Sequence, residues 1–450
     1  MRTICLILIT LLFLFGYKIK AQNTFVSVSQ HQFLLNGKPY YFIGANYWYA
    51  GLLGLQSNPE RGILRLKKEL DFLQKKGITN VRVMVGSEGT GQIHGVKRVE
   101  PALQPQKGKF NGEILKGLDL LLTEMSKRKI KAVLFLSNNW EWSGGFLQYL
   151  NWNGIIPDSV LPRKLNWNEY GDYVSKFYSC TACQEDYNNQ VRFVVNHINT
   201  ISGKKYKDDP TIMAWEIANE PRPMRAIATE DYKKWLSKTA ALIKSEDKKH
   251  LITIGNEGDM GTGSLQLFQE IHADKNIDYL TIHIWPKNWS WFRDTAINKD
   301  WEKIITNTDN YINKHAAIAD KLNKPLVIEE FGLPRNNQSF DIKAPTTLRD
   351  AYYNEIFSYL QQQANSNGVT GGASFWAFGG IAKPKKDQIF WNEGDDYLGD
   401  PPMEEQGLNS VFDTDISTWE VIESYSKKIT NTHNNYPLIK EQRKKAKQNK

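Results

Sequence analysis

Cysteine is nearly missing from this 450-residue chain, which has three, at positions 5, 180 and 183. So few cannot staple a fold, and a zinc site would want two further ligands near Cys180 and Cys183, which the sequence does not offer. In an exported chain a Cys-x-x-Cys pair reads as a local disulfide ahead of a redox site, and the sequence leaves its state open. Long apolar runs are missing too, except at residues 4–17. That run follows Arg2, precedes Lys18, Lys20 and Ala21, and falls short of the ~20 residues that span a bilayer. It predicts a secretory signal over residues 1–21 and a protein secreted to the periplasm or the cell exterior, with no membrane insertion. No Gly-x-Gly-x-x-Gly follows the first predicted strand, so no dinucleotide site is signalled. No internal repeat and no Pro/Ser-rich linker appears, which predicts one large domain over residues 22–430. Charge of one sign is scarce as well. The net charge is +8, and without the leader it falls to +5, from 54 basic and 49 acidic residues. Much of that excess sits in residues 440–450, so residues 431–450 are predicted to be a solvated, disordered basic tail. The body has no basic stripe, and nucleic acid is not an expected partner.

What is abundant is the alternation of strand-length apolar runs with helical periodicity. Strands are predicted at 41–46, 81–85, 132–136, 212–220, 251–254, 279–285, 326–328 and 372–378, with helical patterns at 64–75, 115–125, 235–243, 305–322, 351–363 and 419–425. Residues 167–198 read as helical in pieces, and 138–163 as one long loop. Eight such alternations in about 400 residues predict a TIM-type (β/α)8 barrel with enlarged βα loops, ahead of an open doubly wound sheet. Before it, residues 25–42 read as a hairpin turning at Asn36-Gly37. Tyr47, Trp48 and Tyr49, at the end of the first strand, are expected to line a cleft.

Two strand ends carry the chemistry. The run from Ile212 ends in Ala218-Asn219-Glu220, with Pro221 expected to stop the strand. The run Leu326-Val327-Ile328 ends in Glu329-Glu330. In a barrel, active sites are built where strands end at the C-terminal face. A lone Glu is usually solvated surface, but two carboxylates at the ends of two strands of one sheet can face each other across a cleft. That pair is the minimum equipment for cutting a glycosidic bond. The 14 Trp and 20 Tyr suit a saccharide cleft, although large aromatics also fill large cores.

Trp-Glu-Ile-Ala-Asn-Glu-Pro-Arg-Pro at 215–223 and Ile-Glu-Glu-Phe-Gly at 328–332 resemble glycoside hydrolase family 5, and within it the endo-β-1,4-mannanases. Asn138-Asn139-Trp140, Gly144-Gly145, Gln148-Tyr149 and residues 203–212 extend the resemblance, which covers roughly residues 25–430. It implies a retaining hydrolase of mannan, glucomannan or galactomannan, acting as a monomer without metal or organic cofactor. Glu330 would be the nucleophile, and Glu220 the acid/base, protonated at rest. Strand alternation would send Glu329 to the opposite face from Glu330. Read alone, Arg82 is an ordinary strand charge, His283 a satisfied core histidine and Trp376 core packing. The resemblance instead implies that Arg82 holds the nucleophile anionic, that His283 contacts the nucleophile or the −1 sugar, that Asn219 binds the 2-hydroxyl and that Trp376 floors the −1 subsite. Arg222 and Trp140 would line the leaving-group side. Two positions depart from the pattern: Trp285 stands where many relatives carry Tyr, and Met84 where many carry Trp. An indole can only donate, so recognition around Trp285 is placed in doubt. A family 5 β-glucanase is the first alternative reading, and a barrel that binds mannan without cutting it the second.

Overall fold

The computed structural model describes residues 25–55, 58–93, 96–292 and 297–434. The predicted leader and residues 435–450 of the predicted tail lie outside them. Eight parallel strands form one sheet: β1 (Phe42–Asn46), β2 (Asn80–Met84), β3 (Lys131–Phe135), β4 (Ile212–Glu216), β5 (Leu251–Thr253), β6 (Leu280–Ile284), β7 (Leu326–Phe331) and β8 (Thr370–Phe375). A helix follows each: α1 (Pro59–Lys75), α2 (Glu113–Lys127), α3 (Thr181–Val195), α4 (Thr229–Glu246), α5 (Leu265–His272), α6 (Trp301–Leu322), α7 (Thr347–Ser366) and α8 (Ile416–Asn434). The sheet runs β5-β4-β3-β2-β1-β8-β7-β6. First and last strands pair from Phe42–Gly372 to Ala45–Phe375, as a barrel requires and an open doubly wound sheet does not. The remaining seam, between β5 and β6, has no regular ladder. It is bridged by Asp278 N–H to Ile252 O (2.8 Å), Thr253 Oγ1 to Tyr279 O (3.1 Å) and His283 N–H to Glu257 O (3.0 Å).

The bottom of the barrel is plugged by residues before β1. The expected hairpin is a three-stranded antiparallel sheet, Val26–Ser29, Gln32–Leu35 and Lys38–Pro39. A turn at Gln30, with φ +55°, precedes the expected one at Asn36-Gly37, whose φ values of +56° and +75° suit a primed turn. Val26, Phe33, Tyr40 and Phe42 pack against Val133, Met213, Leu251, Tyr279 and Val327. These are inward or basal positions of the strands, so the plug shields the N-terminal end of the barrel from water.

Four local expectations are corrected. The 138–163 segment is not one loop: it holds a helix, Gly145–Trp152, because Phe146, Leu147, Tyr149 and Leu150 give it a buried face. Helix α5 was not anticipated; it is only eight residues long, capped by the Ser264 side chain accepting from Leu267 N–H. Helix α8 runs to Asn434, past the boundary expected at 430. Tyr47, Trp48 and Tyr49 do not line the cleft. All three are buried, with Trp48 Nε1–H donating to Gly399 O (2.9 Å) and Tyr47 bonded to Glu69, so they underpin the β8–α8 loop. Cys180 and Cys183 are joined by a disulfide at the start of α3. Among the described residues no helix is long and apolar enough to cross a membrane.

Phe33 is 1% exposed, edge-on to Tyr279 at 5.2 Å between ring centroids. Phe33→Ala should lower stability by about 3–5 kcal/mol. The lower urea midpoint should come with an unchanged kcat/KM in the folded fraction, because the plug lies at the far end from the strand termini that carry function.

Candidate active site

The strand β4 ends at Glu216, five residues before Pro221, yet the chain beyond it stays hydrogen-bonded. Ile217 and Ala218 donate to Thr253 O (3.0 Å) and Ile254 O (3.3 Å), Asn219 to Ser137 O (2.9 Å) and Glu220 to Gly255 O (2.9 Å). The loop is therefore fixed between its neighbours, and Pro221 is not what ends the ladder. Gly255 makes the approach possible: it has φ +81°, and a Cβ there would lie 2.1 Å from Ala218 O. Glu220 itself has φ +51°, a left-handed conformation that costs a non-glycine residue about 1–2 kcal/mol. Its side chain is held at both oxygens, by Trp140 Nε1–H at 2.6 Å and His283 Nδ1 at 2.6 Å.

Glu330 comes from the end of β7, but strand alternation does not separate it from Glu329. The β6–β7 register slips between Ile282–Ile328 and His283–Glu330, leaving Glu329 as an extra residue. This bulge turns both side chains toward the barrel interior. Glu329 lies 3.4 Å from His283 Nε2 and 3.8 Å from Arg82 Nε, whereas Glu330 lines the cavity. Arg82 binds Glu330 through Nη1. Its other donors reach Glu216 through Nε (2.7 Å) and Nη2 (2.6 Å), Asn219 Oδ1 (2.7 Å) and Asn46 Oδ1 (3.0 Å). Arg82 is 1% exposed, and its charge is retained because the surrounding carboxylates outweigh burial.

Five buried carboxyl groups, Glu216, Glu220, Glu257, Glu329 and Glu330, thus meet two guanidinium groups and one imidazole. The site relieves the excess by holding protons. Burial pushes Glu216 up to about 8 despite Arg82, and Glu257 up to about 7 despite Arg222. Glu330 is also raised, because burial and the neighbouring Glu220 outweigh His283 and Arg82. Glu220 goes the other way. Burial raises it, but the His283 imidazolium, Arg222 and the Trp140 N–H prevail and leave it at about 2. His283 is raised well above the ordinary imidazole value: burial opposes its charge, and Glu330, Glu220 and Glu329 overcome that. A lowered carboxyl and a raised imidazole thus meet where His283 Nδ1 lies 2.6 Å from Glu220, at the position where the resemblance implied a carboxyl protonated at rest.

One oxygen of Glu220, one of Glu330 and a ring nitrogen of His283 lie within 4.8 Å of one another. Among the described residues this is the one trio compact enough to chelate a cation. Glu220 and Glu330 border a cavity of about 760 Å³ that also takes in Asn219, Trp140, Arg222, Trp285 and Trp376. Trp285 Nε1–H donates to Glu330 at 3.3 Å, so the indole supplies the donor that a phenol would have supplied. Trp376 is 4% exposed, and its Nε1–H has no partner among the described residues, which leaves a donor at the cavity wall. Arg222 forms a two-point ion pair with Glu257, and its guanidinium sits 5.1 Å from the Trp140 ring. Arg82 and His283 are buried behind the cavity and touch the carboxylates. Met84 is buried.

Several contributors escaped the sequence reading. Glu216, Asn46 and Glu257 hold the two arginines; Glu216 was visible as a carboxylate inside an apolar strand, which demands a buried cation. Asn138 accepts from Asn219 Nδ2 at 3.0 Å. Asp400, Met403 and Glu404, from the β8–α8 connection, form part of the cavity wall, and no sequence signal tied them to it. Glu88, fully buried, accepts from Ser137 Oγ (2.8 Å), Gly145 N–H (3.0 Å), Tyr149 OH (3.2 Å) and Gln190 Nε2 (2.8 Å). It thereby anchors the turn that carries Trp140.

A barrel with two carboxylates this close at the ends of β4 and β7 is the arrangement of a glycoside hydrolase. A family model described as GH family 5 beta-mannosidase-like matches residues 23–434, and the chain belongs to that family. It is 31% identical over 374 residues to mannan endo-1,4-beta-mannosidase 1 of Oryza sativa subsp. japonica, a match covering 78% of each chain. It resembles the crystal structure of a glycoside hydrolase family 5 mannosidase from Rhizomucor miehei, with TM-score 0.82, 31% identity and coverage of 92% of this chain and 100% of that one. An endo-1,4-beta-mannanase from the same fungus superposes with TM-score 0.63 at 25% identity, covering 90% and 99%.

Burial pushes Glu88 up to about 7, although its four neutral donors oppose the shift. Because its folded-state value exceeds the unfolded one, the stability it contributes is complete below about pH 4.5 and is lost as pH rises through about 7. Wild type should lose about 3 kcal/mol across that window from this group. Urea unfolding from pH 4 to 8 should give a flatter profile for Glu88→Gln; parallel profiles would sink this assignment.

Proposed function

We propose that the chain is a retaining endo-β-1,4-mannanase. The observation that carries this is the separation of Glu220 and Glu330, with oxygens within 4.8 Å of each other. Retaining glycosidases keep the two carboxyl groups about 5–5.5 Å apart, whereas inverting ones leave about 6.5–9.5 Å for a water. In this reading Glu330, aimed by Arg82 and Trp285, attacks the anomeric carbon. The leaving oxygen takes its proton from Glu220, which draws it from His283 as positive charge develops on the sugar. Glu220 then removes a proton from water, and the glycosyl-enzyme is hydrolysed. Asn219, Trp376 and the Arg222–Trp140 pair bind the sugars on either side. Mannan as substrate is supported by the names of the relatives, and secretion by the N-terminal sequence pattern.

Glu330→Ala should lower kcat by several orders of magnitude while oligosaccharide binding survives. Azide separates the two roles. Added to Glu220→Ala acting on an aryl β-mannoside, whose phenolate leaves without a proton, it should restore turnover and give the β-mannosyl azide, because the intact nucleophile still forms the intermediate. Unimpaired turnover in either variant would refute the assignment. A second reading, an exo-acting β-mannosidase, is favoured by the cavity wall that the β8–α8 connection builds with Asp400, Met403, Glu404 and Leu408, and by the better superposition on the mannosidase. Products from mannohexaose decide between them: a spread of mannobiose, mannotriose and mannotetraose means endo action, and mannose with mannopentaose in the first minutes means exo action.

A further inference from the structure

A second groove, of about 670 Å³, adjoins the catalytic cavity and shares Trp167, Arg222 and Met260 with it. None of Trp285, Glu330 or Trp376 lines it. Glu220 does not line it either, but Arg222 and Pro223, just beyond Glu220 in the chain, do, so the groove opens from that side of the cavity. An acid that protonates the departing oxygen faces the part of the chain that leaves, so the groove lies in the path of that part. We propose that this groove is a distal binding site for the leaving-group end of a longer β-1,4-linked mannan chain, with Trp167 as its stacking platform. The proposal rests on the reading of the chain as a mannan hydrolase.

Trp167 is 56% exposed, an unusual position for a large ring, yet it is held firmly. It opens the helix Trp167–Val174, whose cap is reciprocal: Asn166 accepts from Asn168 and Glu169 N–H, and the Glu169 carboxylate accepts from Asn166 N–H. Arg225 ties that helix to the β4–α4 connection through Asp172 (2.6 Å) and Asn168 O (2.6 Å). The ring therefore loses little freedom on contact with a ligand, which favours stacking. Trp140 bonds Glu220, Trp167 lies 5.9 Å from Trp140, and the Arg222 guanidinium sits 5.5 Å from Trp167. Flat groups thus run outward in steps from the acid into the groove. Its far wall is polar without a free charge among the groups that face it: Lys233 pairs with Glu230 (3.2 Å) and Glu270 (2.8 Å), and Gln266 donates to Glu270 (2.9 Å). Such a wall suits hydroxyl groups better than an ionic ligand.

The test uses the full chain carrying Glu330→Gln, with calorimetric binding of manno-oligosaccharides and cello-oligosaccharides of two to six units. Affinity should rise with length in the mannan series. Trp167→Ala should reduce the gain from the longer chains by about 2- to 12-fold, as loss of one aromatic contact does. Gln266→Trp, an exposed position that fills the groove without touching the cavity, should do the same, and far-UV circular dichroism checks that each variant folds. Length-dependent binding that both variants abolish supports the groove. If it occurs only with cello-oligosaccharides, the groove stands as a distal sugar site and the mannan reading falls. Affinity that stays flat beyond the shortest bound chain, or a gain both variants keep, overturns the groove whichever sugar binds.

Discussion

The structure depends on one guanidinium group without access to water. Arg82 sits in the barrel interior with donors on Glu216, Glu330, Asn219 and Asn46, which come from three other strands or their ends. An unpaired charge there would be intolerable, and removing one partner from a buried pair typically costs about 3–5 kcal/mol. The arginine therefore ties β1, β2, β4 and β7 together at the height of the cleft. It aims one oxygen of Glu330 and fixes Asn219, so the same interaction that organises the barrel top also orients the carboxyl group that faces the cavity.

Around that centre the protein tolerates more negative charge than positive. Proton sharing resolves the imbalance, and it is distributed unevenly. Glu216 and Glu257, which serve the arginines, sit high, while Glu220 sits low because His283 keeps the proton beside it. The bulge in β7 adds to this crowding by turning Glu329 inward as well.

The architecture was legible because strand-length apolar runs and period-3.6 patterns alternate so regularly between residues 41 and 425. Both catalytic candidates were legible because carboxylates at the ends of apolar strands are rare. What escaped the sequence depends on contacts between distant segments. The inward turn of Glu329 follows from a register slip against β6, which no local pattern in Ile328-Glu329-Glu330 announces. The fate of Tyr47, Trp48 and Tyr49 was decided by Glu69 and Gly399, far away in the chain. The walls made by Asp400 and Glu404 come from a connection whose path cannot be read from composition.

The indole at position 285 has a consequence of its own. A phenol in its place would be a weak acid, able to ionise near pH 10 and to accept as well as donate. An indole N–H keeps its hydrogen throughout the aqueous range. Glu330 therefore faces a permanent donor that never becomes a competing base or a second negative neighbour, and alkaline solution has no handle on that contact.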